Sequence, residues 1–289
     1  MRLLKNAVVA IAALGVIQTA PAATNNVNST NHPRIIILNP PEKDFFSKEL
    51  FFHGIPIKAH KVVSDEAMYG AYDRLSMMLS NLPMVVSNLV GAGVELHIIG
   101  RNQVTTDLPE WRKDKGRPIP EYNGLTRDQR TRGMGGRLTS CGEENLLRLK
   151  GDHYFGRDIC VHEFAHAIYQ YGVQQEIRDR IRKQYDRSLA KGLWNKAYAA
   201  SNPNEFFAEM GMWYFGTHGD LNMTGPKPEN GPEGLKKYDP EAYALVDDFY
   251  KGRIQVTKVD PSRRRRNPAM SRESNSPAKP LSPAKHSDT

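Results

Sequence analysis

Apolar residues recur at helical spacing between Ser64 and Ser80, where Ala67, Met68, Ala71, Leu75, Met78 and Leu79 fall on one face. Ser64, followed by Asp65 and Glu66, supplies an N-cap and an acidic first turn, so a helix is predicted here. The same period returns after Asp158. It predicts helices over Asp158 to Tyr171, with Gly172 as the C′ residue, over Gln174 to Leu189, over Pro203 to Tyr214 and over Pro240 to Tyr250. Strand signals come earlier in the chain. The isoleucine run within Arg34 to Leu38, set between prolines, predicts a buried strand; Val94 to Ile99 predicts a second and Leu146 to Leu149 a third. Asp107 to Arg132 is charged and punctuated by Pro and Gly, hence mostly loop.

Gly133, Gly135 and Gly136 do not form a nucleotide loop. The third glycine of the dinucleotide fingerprint would fall at Leu138, and no phosphate-binding Lys-Ser/Thr follows. They are predicted to be a flexible turn leading into the strand at Leu146.

The two ends read differently from the middle. Arg2 and Lys5 precede an apolar run from Ala7 to Ile17, and Ala20-Pro21-Ala22 has the small-x-small form of a signal peptidase site, so residues 1–22 are expected to be a signal peptide. The run is too short to cross a bilayer, which takes about 20 residues, and no later stretch is expected to span a membrane. Residues 23–32 form a polar linker, residues 33–250 the folded domain, and residues 251–289 a basic, disordered tail. The expectation is a secreted protein, extracellular or periplasmic. Charge follows the same division: of the net +8, most belongs to the tail, which holds ten Lys/Arg against three Asp/Glu. The rest is near neutral, which argues against a domain-wide nucleic-acid surface. The tail could contact anionic surfaces. The two cysteines, Cys141 and Cys160, form a candidate disulfide in an oxidising compartment.

His162-Glu163-Phe164-Ala165-His166 is an H-E-x-x-H segment. Four residues is just over one helical turn, so both imidazoles project from one face toward one ion, and Glu163 stands where it can hold and deprotonate a metal-bound water. Asp158 is a suitable N-cap for that helix. One Zn2+ per chain is the expected cofactor. Catalytic zinc usually has three protein ligands, and the extended histidine motif fails because Tyr169 and Gly172 occupy its required Gly and His positions. The best remaining candidate lies in Asn202-Pro203-Asn204-Glu205-Phe206-Phe207-Ala208-Glu209. Asn202 caps a helix that Pro203 begins, so Glu205 and Glu209 share a face. Glu205 would ligate zinc, and Glu209 would accept a hydrogen bond from a ligand imidazole. Two alternatives stay open: Glu205 as part of a capping box begun at Asn202, and Asp220 as the third ligand.

HEFAH, then Tyr198 and NEFFAE, resembles the lethal-factor-like zinc metallopeptidases, a gluzincin-type group that includes the Pro-Pro endopeptidases; the resemblance covers about residues 158–214. It implies Glu205 as third ligand and a catalytic role for Tyr198, whose hydroxyl would support the oxyanion; His218 is the alternative for that task. The expected architecture is α+β and zincin-like, with a small twisted N-terminal sheet, an active-site helix and a helical C-terminal lobe. The expected function is hydrolysis of a protein or peptide substrate by a secreted zinc metalloendopeptidase. Its rivals are a catalytically silent zincin fold used for binding and a zinc hydrolase of a non-peptide bond.

Overall fold

Leu50, Phe52, Ile55 and Ile57 are buried while Phe51 and Pro56 between them are not, and the chain turns at His53-Gly54, both with positive φ (45° and 90°), the backbone a two-residue hairpin turn demands. That hairpin is the start of a sheet in the computed structural model, which describes residues 32–217, 219 and 223–260. The strands and helices are β1 (Ile36–Glu42), β2 (Phe46–Phe52), β3 (Ile55–Ala59), α1 (Asp65–Leu79), α2 (Pro83–Gly91), β4 (Glu95–Ile99), α3 (Arg127–Arg130), β5 (Gly133–Met134), β6 (Leu138–Gly142), α4 (Glu143–Leu146), α5 (Ile159–Ala167), α6 (Gln175–Ala190), α7 (Pro203–Tyr214), α8 (Pro232–Tyr238) and α9 (Pro240–Tyr250). The order is mixed α+β. The strands form one sheet, β1-β2-β3-β4-β6-β5, in which β3, β4 and β6 are parallel and the outer pairings antiparallel.

The isoleucine run does form a strand, but not a buried one. Ile36 is 44% and Ile37 68% exposed, because β1 is a sheet edge. Pro40 and Pro41 within it lack the N–H groups an interior strand needs. Leu146 to Leu149 is not a strand: Glu143–Leu146 is a helical turn, and the strand is Leu138–Gly142 just before it. The charged stretch before β5 is loop, as expected, broken by short helical turns.

Three contacts fix the start of α5, one to the sheet, one to α1 and one to α4. Cys160 in its first turn is joined by a disulfide to Cys141 in β6, with Cα atoms 5.1 Å apart. Asp158 caps the helix by accepting from Val161 N (3.0 Å), and its other oxygen takes the Arg74 guanidinium of α1 at 2.6 Å. Asn145 accepts from Ile159 N at 2.8 Å, satisfying another donor of the first turn. After Ala167 the helix widens into a π-turn over Ile168–Gly172. Gly172 is not the left-handed cap its sequence position suggested. A Cβ there would stand 2.7 Å from Val85 of α2, so glycine is required for close packing.

Beyond α5 every regular element among the described residues is helical, and α7 lies against α5. The packed chain continues past α9. Ile254 is buried, and Asn88 of α2 donates to Thr257 O and accepts from Val259 N, both at 2.9 Å. No helix among the described residues is long and apolar enough to cross a membrane. The expected signal peptide and nearly all of the basic stretch of the tail, including its four consecutive arginines, lie outside the described residues.

Candidate metal centre

The i, i+4 spacing in α5 brings His162 and His166 to one face, and α7 presents Glu205 to the same point. His162 Nε2 lies 3.2 Å from His166 Nε2 and 3.2 Å from Glu205 Oε2, and His166 Nε2 lies 3.3 Å from that oxygen. The three residues form the group of potential metal ligands among the described residues. All are nearly buried, at 5%, 6% and 8% exposure for His162, His166 and Glu205.

That triangle fits a small tetrahedral cation. Ligand atoms about 2.0–2.1 Å from zinc at tetrahedral angles stand about 3.3–3.4 Å apart. Protons alone serve the cluster poorly: two ring nitrogens face each other at 3.2 Å, and both crowd the same Glu205 oxygen. A divalent cation coordinated by all three atoms would satisfy every one of them.

Each ligand is held from behind. Glu209, fully buried one turn after Glu205, places Oε1 3.1 Å from His162 Nδ1. The same oxygen accepts from Arg157 Nη2 at 2.9 Å. His166 Nδ1 lies 2.9 Å from Asn204 Oδ1, which fixes the second ring by the same logic. Asn202 accepts from Asn204 N and Glu205 N, both at 3.0 Å. Asn202 thus caps α7 by itself, and the Glu205 carboxylate points to the imidazoles rather than back to the cap. Asp220 and His218, the alternative ligand and oxyanion donor, lie outside the described residues.

The electrostatics are those of a charged knot. Burial opposes a charge on His162, yet Glu205 and Glu209 override it and push the imidazole's pKa up to about 10. Burial likewise opposes the Glu205 carboxylate, but the two imidazoles hold it well below the ordinary range. Glu163 is partly open to solvent, and its pKa is raised, chiefly by burial against the pull of both histidines. Tyr198 has its ring centre 5.9 Å from that of His162, and burial raises its hydroxyl pKa.

Two features escaped the sequence reading. Arg157 and Asn204 are the partners behind the ligands: Arg157 precedes the H-E-x-x-H helix, and Asn204 opens the NEFFAE segment with no local sign of where its side chain points. The glycines ahead of β6 serve the site rather than a flexible turn. A Cβ at Gly133 would stand 2.6 Å from Ile159 and 3.1 Å from Glu163 Cγ; one at Gly135 would stand 2.8 Å from the His166 ring and 3.1 Å from Glu163 Oε2. Side-chain-free backbone at β5 therefore forms the wall over the candidate site. Two bare positions spaced by one residue ahead of a strand are the signal, legible only once α5 is known to pass beneath them.

No protein-family model matches the sequence, and no curated protein shows significant similarity to it. Among solved structures the chain is similar to the PRO-PRO endopeptidase (PPEP-2) from Paenibacillus alvei, with 19% identity and a TM-score of 0.49 over 64% of this chain and 92% of that one.

Proposed function

We propose that this protein is a secreted, zincin-like zinc metalloendopeptidase, with His162, His166 and Glu205 as metal ligands. The observation that carries the reading is the triangle of two imidazole nitrogens and one carboxylate oxygen, with the Glu163 carboxyl beside it. Bound there, zinc would supply Lewis acidity to a water and to a substrate carbonyl. Glu163 takes the proton of the attacking water and gives it to the leaving amine, a task suited to a carboxyl whose pKa is raised toward neutrality. Tyr198, its hydroxyl kept protonated by burial, donates a hydrogen bond to the oxygen on which negative charge develops. Glu209 and Asn204 hold the two rings in the tautomers that leave both Nε2 atoms facing the ion. The bare backbone at Gly133 and Gly135 stands directly over Glu163 and His166. The Cys141–Cys160 disulfide suits an oxidising compartment outside the cytoplasm.

The test is a peptide-library cleavage profile on the purified, zinc-loaded protein, with and without a chelator. Chelator-sensitive cleavage at internal peptide bonds is expected. A folded, zinc-loaded protein that cleaves no peptide in the library would remove the peptidase assignment.

A further inference from the structure

The loop between β4 and β5 carries two arginines one turn apart, and the fold uses only the first. Arg127 anchors the loop. Its Nε and Nη2 donate to Asp114 Oδ2 at 3.1 and 2.7 Å, its guanidinium lies 3.9 Å over the Trp111 ring, and Nη1 reaches Tyr122 Oη at 3.3 Å. At 8% exposure it is fully committed to holding the loop together.

Arg130 is committed to nothing comparable. It is half-buried, its guanidinium carbon lies 5.9 Å from the centre of the Tyr122 ring, and it makes no ion pair with a carboxylate among the described residues. Its backbone is fixed where the loop enters the site: its carbonyl accepts from Tyr154 Oη at 3.3 Å. Gly133 and Gly135, three and five residues on, stand against Glu163 and the His166 ring, so Arg130 lies at the start of the segment that walls the site. Two other carboxylates of the site are already matched. Glu205 faces both imidazoles, and Glu209 pairs with Arg157. A half-buried guanidinium without a partner is a planar fork of donors suited to a carboxylate.

We propose that Arg130 takes a carboxylate of the bound peptide, so that the site selects substrates bearing an acidic side chain or a free C-terminal carboxylate near the scissile bond. The inference rests on the peptidase reading of the site. It makes the anchored loop the part of the protein that reads substrate, with Arg127 as its frame and Arg130 as its contact.

The test compares four peptide sets of one parent sequence: neutral and amidated; amidated with Asp or Glu stepped along the positions flanking the cleaved bond; amidated with Lys stepped along the same positions; and neutral with a free C-terminus. kcat/KM is measured for the parent protein and for Arg130→Gln, Arg130→Lys and Arg130→Glu. The parent should favour one carboxylate-bearing set over the neutral set by about 10–100-fold, the range of a charge-assisted hydrogen-bonded pair. A preference that follows the stepped residue identifies the side chain as the source; a preference confined to the free acid identifies the C-terminus. Arg130→Gln should collapse that ratio, Arg130→Lys should retain part of it, and Arg130→Glu should turn it toward peptides carrying Lys, a gain that misfolding cannot produce. The proposal is overturned if the parent shows no such preference, if Arg130→Glu brings no reversal, or if Arg130→Gln lowers all sets by one factor. The last result would mean that Arg130 only balances Glu163. If the parent cleaves no peptide, the peptidase reading fails by itself, and fluorescence anisotropy of the same peptides on the zinc-loaded protein decides. Carboxylate-dependent binding that Arg130→Gln abolishes upholds the role of Arg130, and its absence overturns it.

Discussion

Two histidines in this protein are buried between pairs of carboxylates, and the difference between them separates a structural cluster from a candidate metal centre. His97, in β4, has a carboxylate for each ring nitrogen: Glu110 Oε1 at 2.6 Å from Nδ1 and Glu95 Oε2 at 2.9 Å from Nε2. Lys58 braces the cluster with Nζ 3.0 Å from Glu95 and 2.9 Å from Glu42. An imidazolium there donates two protons to two acceptors; burial opposes the charge, yet the two carboxylates raise the pKa. No lone pair is left for a metal. His162 has only its Nδ1 matched in this way, by Glu209, while its Nε2 converges with His166 Nε2 and Glu205 Oε2 on one point. Acids around a buried histidine are therefore not the mark of a site. Convergence of several ligand atoms on a space too small for separate partners is.

The comparison is broken most forcefully at Glu163, which has no counterpart in the His97 cluster. Glu163→Gln should lower kcat by about 10²–10⁴-fold, the range for losing a general base, while zinc content, read by atomic absorption, stays at the parent level. Wild-type turnover by that variant would take Glu163 out of the mechanism. A smaller effect sharpens the contrast between supporting carboxylates. Glu209→Ala should weaken zinc binding about 10–100-fold in chelator competition, and should lower the melting temperature because Arg157 loses its buried partner. Glu110→Ala, the matching change at His97, should cost stability and leave zinc affinity alone.

The comparison extends to the pH dependence of the sheet cluster. Glu95 has its pKa lowered to about 2, first by the hydrogen bond with His97, against an ordinary value of 4.5. A carboxyl depressed in the folded state stabilises above its unfolded pKa, and that stabilisation disappears as pH falls from about 4.5 toward 2. The contribution is on the order of 2–3 kcal/mol. His97 runs the other way: its contribution is complete below about 6.5 and fades as pH rises through its raised folded value. Urea unfolding of the parent and of Glu95→Gln at about pH 7 and about pH 2 checks this. The stability gap between the two proteins should be present at neutral pH and mostly gone in acid; a gap of constant size would show that the Glu95 charge plays no part.

What the sequence revealed follows the range of the interactions involved. His162, Glu163 and His166 were legible because one helical turn brings them together, whatever the rest of the chain does. Glu205 and Glu209 were candidates from their shared helical face and the missing third ligand, but nothing local to α7 says where that face points, so Asp220 and a capping box stayed open beside them. Arg157, Asn204 and the bare positions Gly133 and Gly135 were not legible as site residues, because their roles depend on α5, α7 and β5 meeting in space. The β2–β3 hairpin was missed because its strands are short and its turn, His53-Gly54, is not among the strongest hairpin signals. The isoleucine run was read as buried on composition alone, whereas Pro40 and Pro41 mark it as an edge.

Zinc retention measured by competition with a graded chelator, on the parent, Glu205→Ala and His97→Gln together, tests the central claim most directly. The parent and His97→Gln should each hold about one zinc per chain tightly, and Glu205→Ala should lose affinity by well over the roughly 100-fold expected for a supporting residue. A folded Glu205→Ala protein that keeps zinc as tightly as the parent would contradict the assignment of His162, His166 and Glu205 as the metal site.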